Sequence, residues 1–141
     1  MNTSMLQFSV NYYSLSFMLI SAISGLIFRS VFELSLIKAF LTSFVFWNIG
    51  VRGIIAYNAN YIPRFADEIA ESYGWEKGQS FQKEIASADG AFGLLGILSP
   101  FFGMEFTLAS LLGFCFCTIS SEISGLNELY RERKQDSHSV T

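Results

Sequence analysis

Residues 6–28, LQFSVNYYSLSFMLISAISGLIF, run for 23 residues without a charged side chain. At about 1.5 Å of rise per helical residue, such a run covers the roughly 30 Å hydrocarbon core of a bilayer. The pattern repeats along the chain. Residues 39–51, 90–104 and 106–121 are also free of charge, and the charged residues gather between these runs. A charge costs several kcal/mol at mid-bilayer and nothing in a loop, so blockwise exclusion of charge points to a chain that crosses a membrane. Composition agrees: of 141 residues, 51% are hydrophobic, 16% aromatic and only 15% charged, against about 25% charged in soluble domains. A cleaved signal peptide has a basic start and a short apolar core. Residues 1–11 carry no Lys or Arg, and the first run is long, so it reads as a retained span.

The expected fold is all-α: an integral membrane four-helix bundle with spans at about 6–28, 36–57, 84–100 and 105–129. The bundle occupies residues 1–130, and residues 131–141 read as a disordered cytoplasmic tail. Ser21 and Gly25 put a small-residue face on the first helix. Ala86, Gly90 and Gly93 do so on the third, which Pro100 is expected to stop. On the fourth, Ala109, Gly113, Cys117, Ser121 and Gly125 recur every fourth residue. Helices in lipid gain little from the hydrophobic effect against each other, so close approach along such faces is what holds them.

Between the second and third spans, Pro63 suits a first helical turn and Gly74 a left-handed helix end. Phe65, Ile69 and Tyr73 form a stripe, with Arg64, Asp67, Glu68 and Glu71 largely off it. This is the pattern of a short amphipathic helix lying in the membrane interface, with Trp75 after it and Gln79 or Ser80 capping the third span. Four crossings put both termini and this segment on one face. That face holds Arg64, Lys77, Lys83, Arg131, Arg133 and Lys134, against Arg29 and Lys38 on the other. The positive-inside rule therefore places both termini in the cytoplasm, in a bacterial inner membrane.

Arg52, Asp89 and Glu122 are ionisable residues inside spans, with Glu84 at a mouth. Counted from the helix ends, the first three lie roughly 8–10 Å in from the same, cytoplasmic, side. Asn11 falls in the same layer. Charges in a low-dielectric bundle pair or face water, which leaves two readings open. One is a structural ion-pair network; the other is a polar vestibule that binds a substrate or relays protons. His138 is the single histidine and lies in the tail, so neither a His-based metal site nor a Ser–His hydrolase pair falls within the spans. Cys115 and Cys117 point about 200° apart on a helix and read as small packing residues. The net charge of −3 gives no basic face for nucleic acid.

Residues 61–98, YIPRFADEIAESYGWEKGQSFQKEIASADGAFGLLGIL, carry a Gly74–Trp75 pair. A run of Gly78, Phe81, Gln82 and Glu84 follows, and then a Gly93-x-x-Gly96 helix. This pattern resembles a bacterial family of small four-helix membrane proteins catalogued as domain of unknown function family 6790. Ser80 stands where members tend to have proline, and Asp89 where Asn is commoner. The resemblance implies the four-helix layout and no reaction. A shorter similarity, Asp89 before a Gly-rich helix, runs to DoxX-like four-helix proteins.

The functional expectation is a non-enzymatic membrane protein without a cofactor, an accessory or scaffold subunit. Its partners would be the lipid bilayer and a second copy or another membrane protein. The alternative is a small transporter or proton-linked component using Arg52, Asp89 and Glu122.

Overall fold

Apolar runs of this length need every backbone donor and acceptor satisfied internally, which helices achieve. The computed structural model describes the backbone of residues 3–138 and the side chains of residues 12–127, Tyr130 and Arg131. Among the described residues the structure is helical, with no strand. The helices are α1 (Thr3–Val31), α2 (Leu36–Tyr61), α3 (Pro63–Tyr73), α4 (Ser80–Phe102) and α5 (Met104–His138). Among the described residues, four segments are long and apolar enough to cross a bilayer: Tyr12–Val31, Leu36–Tyr61, Ser80–Phe102 and Met104–Asn127. The chain divides into two compact units, residues 1–111 and 112–141. The first holds α1 to α4 and the start of α5; the second is the remainder of α5.

Within the first unit, α2 is central. Its first half packs on α1 and its second half on α4. The change of neighbour coincides with a π-helical stretch, Val45–Val51, whose end is marked by the Arg52 N–H bonding to the Trp47 carbonyl five residues back. No sequence pattern announces this stretch.

On the α1 side the contact is made by hydroxyls. Ser43 donates to the Ser21 carbonyl at 2.7 Å, and Ser24 and Ser43 share a 2.6 Å hydrogen bond. Ser24 also lies 3.3 Å from the Ser21 carbonyl, so the two hydroxyls and that carbonyl form one small network in which either hydroxyl can donate to the other. One turn away, Gly25 leaves room for Phe40: a Cβ there would lie 2.6 Å from the ring. The Ser21–Gly25 face is therefore the one that meets α2.

On the α4 side the backbones themselves touch. A Cβ on Gly96 would lie 2.6 Å from the Gly50 Cα, and one on Gly93 would lie 2.8 Å from the Ile54 nitrogen. A Cβ on Gly53 would lie 2.6 Å from the Asp89 carbonyl oxygen. Gln82, Ala86, Gly90, Gly93, Gly96 and Ser99 are the buried positions of α4. They extend the expected Ala86–Gly90–Gly93 face by a turn or more at each end.

Pro100 does not stop this helix. It sits inside α4, which begins at Ser80 and runs on to Phe102. Proline lacks the N–H that would bond the Gly96 carbonyl. The Ser99 hydroxyl donates to that carbonyl instead, at 2.7 Å, and so replaces the missing bond. The helix ends at Gly103, whose φ of 90° few other residues adopt. Thr107 then ties the start of α5 back, donating to the Gly103 carbonyl at 3.0 Å.

The chain after Tyr130 also departs from expectation, since α5 continues to His138. Its last turns contain Arg131, Glu132, Arg133, Lys134 and Gln135. All five are good helix formers by residue type. Residues 139–141 lie outside the described part.

The α2–α4 contact generates a sharp expectation. Gly96→Ala should lower stability by about 1–3 kcal/mol or more, because a methyl there must push two backbones apart. Gly125, whose Cβ would meet nothing within 4 Å, should accept Ala with a gain of up to about 1 kcal/mol from helix propensity. Thermal unfolding of both variants in detergent measures the difference.

Candidate functional site

Arg52 is the first residue after the π-helical stretch, and its neighbour Gly53 lies directly against the Asp89 backbone. The α2–α4 contact thus sets Arg52 and Asp89 side by side. Both are half-buried. The Arg52 guanidinium lies over the Tyr13 ring, 5.8 Å from its centroid, within the range of a cation–π contact. Among the described residues, neither Arg52 nor Asp89 forms an ion pair or a side-chain hydrogen bond. The ion pairs there are Arg64–Glu68 at 4.0 Å and Lys77–Glu71 at 3.7 Å, both exposed; such pairs contribute little to stability.

The other members of the expected layer are placed differently. Glu84 is exposed on the first turns of α4. Glu122 is exposed within the second unit. The Asn11 side chain lies outside the described residues. Of the layer read from the sequence, the geometry brings together Arg52 and Asp89. On α5, Gly113 and Cys117 are half-buried, while Ala109, Ser121 and Gly125 are exposed. Thr107 and Ser110 are the buried side chains of its first turns.

A second polar feature fastens α3. Gln82 is 4% exposed. Its amide nitrogen donates to the Asn60 side-chain oxygen at 3.0 Å and to the Ala66 carbonyl at 2.8 Å. One side chain of α4 thereby holds the end of α2 and the start of α3. At the far end of α3, Gly74 adopts φ 72°. The Trp75 N–H bonds the Ala70 carbonyl and the Gly74 N–H bonds that of Glu71, which is a Schellman closure. Trp75 stacks on Tyr73 at 4.9 Å and meets Phe81 edge-on at 5.6 Å. The motif residues thus have distinct mechanical tasks. Gly74 and Gly78 take positive φ in the turn, Trp75 and Phe81 form an aromatic cluster, and Gln82 ties helices together. Gly93 and Gly96 form the close contact with α2.

Sequence reading missed Tyr13 beneath Arg52, the fastening role of Gln82, and Trp47. Gln82 was discoverable, because it continues the Ala86–Gly90–Gly93 face one turn earlier. Tyr13 was not, since a partner on another helix leaves no local pattern. The Trp47 indole nitrogen is buried with no hydrogen-bond partner; its ring packs between Phe17 at 6.4 Å and Phe46 at 5.5 Å. Among the described residues, no three His, Cys, Asp or Glu side chains are grouped to hold a metal ion.

The profile of a protein family described as "Family of unknown function (DUF6790)" matches residues 3–133. No curated protein and no solved structure matches significantly.

If Gln82 fastens α3, Gln82→Ala should cost about 1–3 kcal/mol through the buried acceptors left unpaired. Amide hydrogen exchange in residues 63–73 should then rise by about tenfold or more, with little change in the α1–α2 contact.

Proposed function

The chain belongs to DUF6790, a family of unknown function, and we propose that it is a four-span membrane protein acting as a non-enzymatic accessory or scaffold subunit. Both termini lie in the cytoplasm of a bacterial cell, with the spans in the inner membrane, by the distribution of Lys and Arg. The observation that carries the membrane reading is an inside-out distribution of side chains. Large apolar residues point outward: Ile37 is 82% exposed and Phe116 76%. Most buried positions are instead small or polar, among them Ala39, Ala86, Ser43, Ser99 and Thr107, with Phe17, Val45 and Ile49 the larger apolar exceptions among the described residues. In water each exposed Ile or Phe would forgo about 1.5–3 kcal/mol of burial. In lipid it forgoes nothing, and hydroxyls and close backbones become the useful interior.

The scaffold reading is supported by the second unit. It continues an apolar span to Asn127 as a single helix with Glu122, Ser121 and Gly125 exposed. A carboxylate on an apolar span is costly facing lipid and is accommodated by a protein or aqueous neighbour. The Ala109–Gly125 stripe offers the close approach a neighbouring helix uses. The alternative, a small transporter or proton-linked component, draws its support from Arg52 and Asp89, which stand together without a direct pair.

Purification in mild detergent followed by mass determination separates the two. A stable complex larger than the 15.8 kDa chain, weakened by Gly125→Leu, is the result expected. A monomer that carries out pH-dependent transport when reconstituted would overturn the scaffold reading.

A further inference from the structure

Opposite charges in a low-dielectric setting collapse into a contact pair unless something else satisfies them. Arg52 and Asp89 are held beside each other by the Gly53–Asp89 backbone contact, yet their side chains do not pair. Arg52 is turned onto the Tyr13 ring instead. Two half-buried charges of opposite sign, each with its hydrogen-bonding capacity unspent among the described residues, are complementary to a zwitterion.

Their depth indicates which zwitterion. Tyr57 and Tyr61 pack with tilted rings, centroids 4.6 Å apart, near the end of α2. Tyrosines at span ends mark the headgroup level. Arg52 lies one and a half turns before Tyr57, about 8 Å along the axis, which its long side chain can span. Tyr13 is itself 38% exposed, so the site is open to its surroundings, where a lipid headgroup can reach it in a membrane protein.

We propose that Arg52, Asp89 and Tyr13 form a binding site for a zwitterionic phospholipid headgroup bearing a primary ammonium. The guanidinium takes the phosphate in a forked, charge-assisted contact. The Asp89 carboxylate accepts from the ammonium. A lipid of net negative charge offers Arg52 the same phosphate but gives Asp89 only a neutral hydroxyl donor, leaving the carboxylate without a counter-charge. The inference rests on the membrane reading given above.

Native mass spectrometry of the full chain in delipidating detergent tests it. The probes are dioleoyl phosphatidylethanolamine and dioleoyl phosphatidylglycerol, which differ in headgroup only. The wild type should retain the ethanolamine lipid about fivefold or more over the glycerol lipid, a difference of the size one charged contact supplies. Asp89→Asn should abolish that preference without reducing glycerol-lipid binding. Arg52→Ala should lose both lipids; should it fail to fold, Arg52→Lys, which keeps the charge and loses the fork, should weaken both.

Equal retention of the two lipids by the wild type overturns the proposal, as does a preference that survives Asp89→Asn. Soluble phosphoethanolamine should leave the thermal midpoint unchanged at millimolar concentration. Stabilisation by it, lost in Arg52→Lys, would assign the site to a free zwitterion and overturn the lipid assignment. A chain that stays monodisperse without detergent would instead refute the membrane reading, a separate result from any lipid preference.

Discussion

The backbones of α2 and α4 meet without side chains between them, Gly50 and Gly53 against Gly93 and Gly96. Most of the first unit follows from that contact. It sets the register in which Gly53 covers the Asp89 carbonyl, and so decides that Arg52 and Asp89 are neighbours. It brings Gln82, two turns before Gly90, under Asn60 and Ala66, where it fastens α3. Because α2 gives its second half to α4, α1 packs on the first half, where Ser21, Ser24 and Ser43 exchange hydrogen bonds. In the membrane setting proposed for this chain, where burial of apolar area is no longer a driving force between helices, dispersion at close range and hydroxyl bonds are what remains.

Much of this was legible in the sequence, for identifiable reasons. The spans show because charge exclusion is a cumulative signal over many residues. The Ser21–Gly25 and Ala86–Gly90–Gly93 faces show because small residues at helical spacing have few other uses in an apolar run. Pro63 and Gly74 fall at the start and end of α3 because each has a backbone preference that needs no tertiary context. The features that escaped depend on a second element. Pro100 looked like a stop until the Ser99 hydroxyl took over as donor to the Gly96 carbonyl. The π-helical stretch at Val45–Val51 arises where one helix changes neighbours. In the candidate site, Arg52 and Asp89 could be matched by depth, but Tyr13 could not, because depth says nothing about azimuth on another helix. Glu122 satisfied the same depth argument and Glu84 was read at the mouth, yet both are exposed.

The residues that carry the family resemblance prove to be mechanical in this chain. Gly74 and Gly78 shape a turn, Gln82 joins three helices, and Gly93 and Gly96 admit α2. Such residues maintain the framework that sets Arg52 beside Asp89. The polar interior at Ser43, Gln82, Ser99 and Thr107 is not a departure from a hydrophobic core but its replacement, because every one of these side chains ends in a hydrogen bond.

The account depends most on the α2–α4 backbone contact, and glycine itself offers the probe. Protein labelled with carbon-13 at the glycine Cα and reconstituted in bilayers can be measured by solid-state magnetic resonance. Gly50–Gly96 and Gly53–Gly93 should give Cα–Cα cross-peaks, corresponding to separations within about 5 Å, as close helix crossings at glycine require. Cross-peaks confined to glycines within one helix would contradict the account, since the helices would then be separated by side chains.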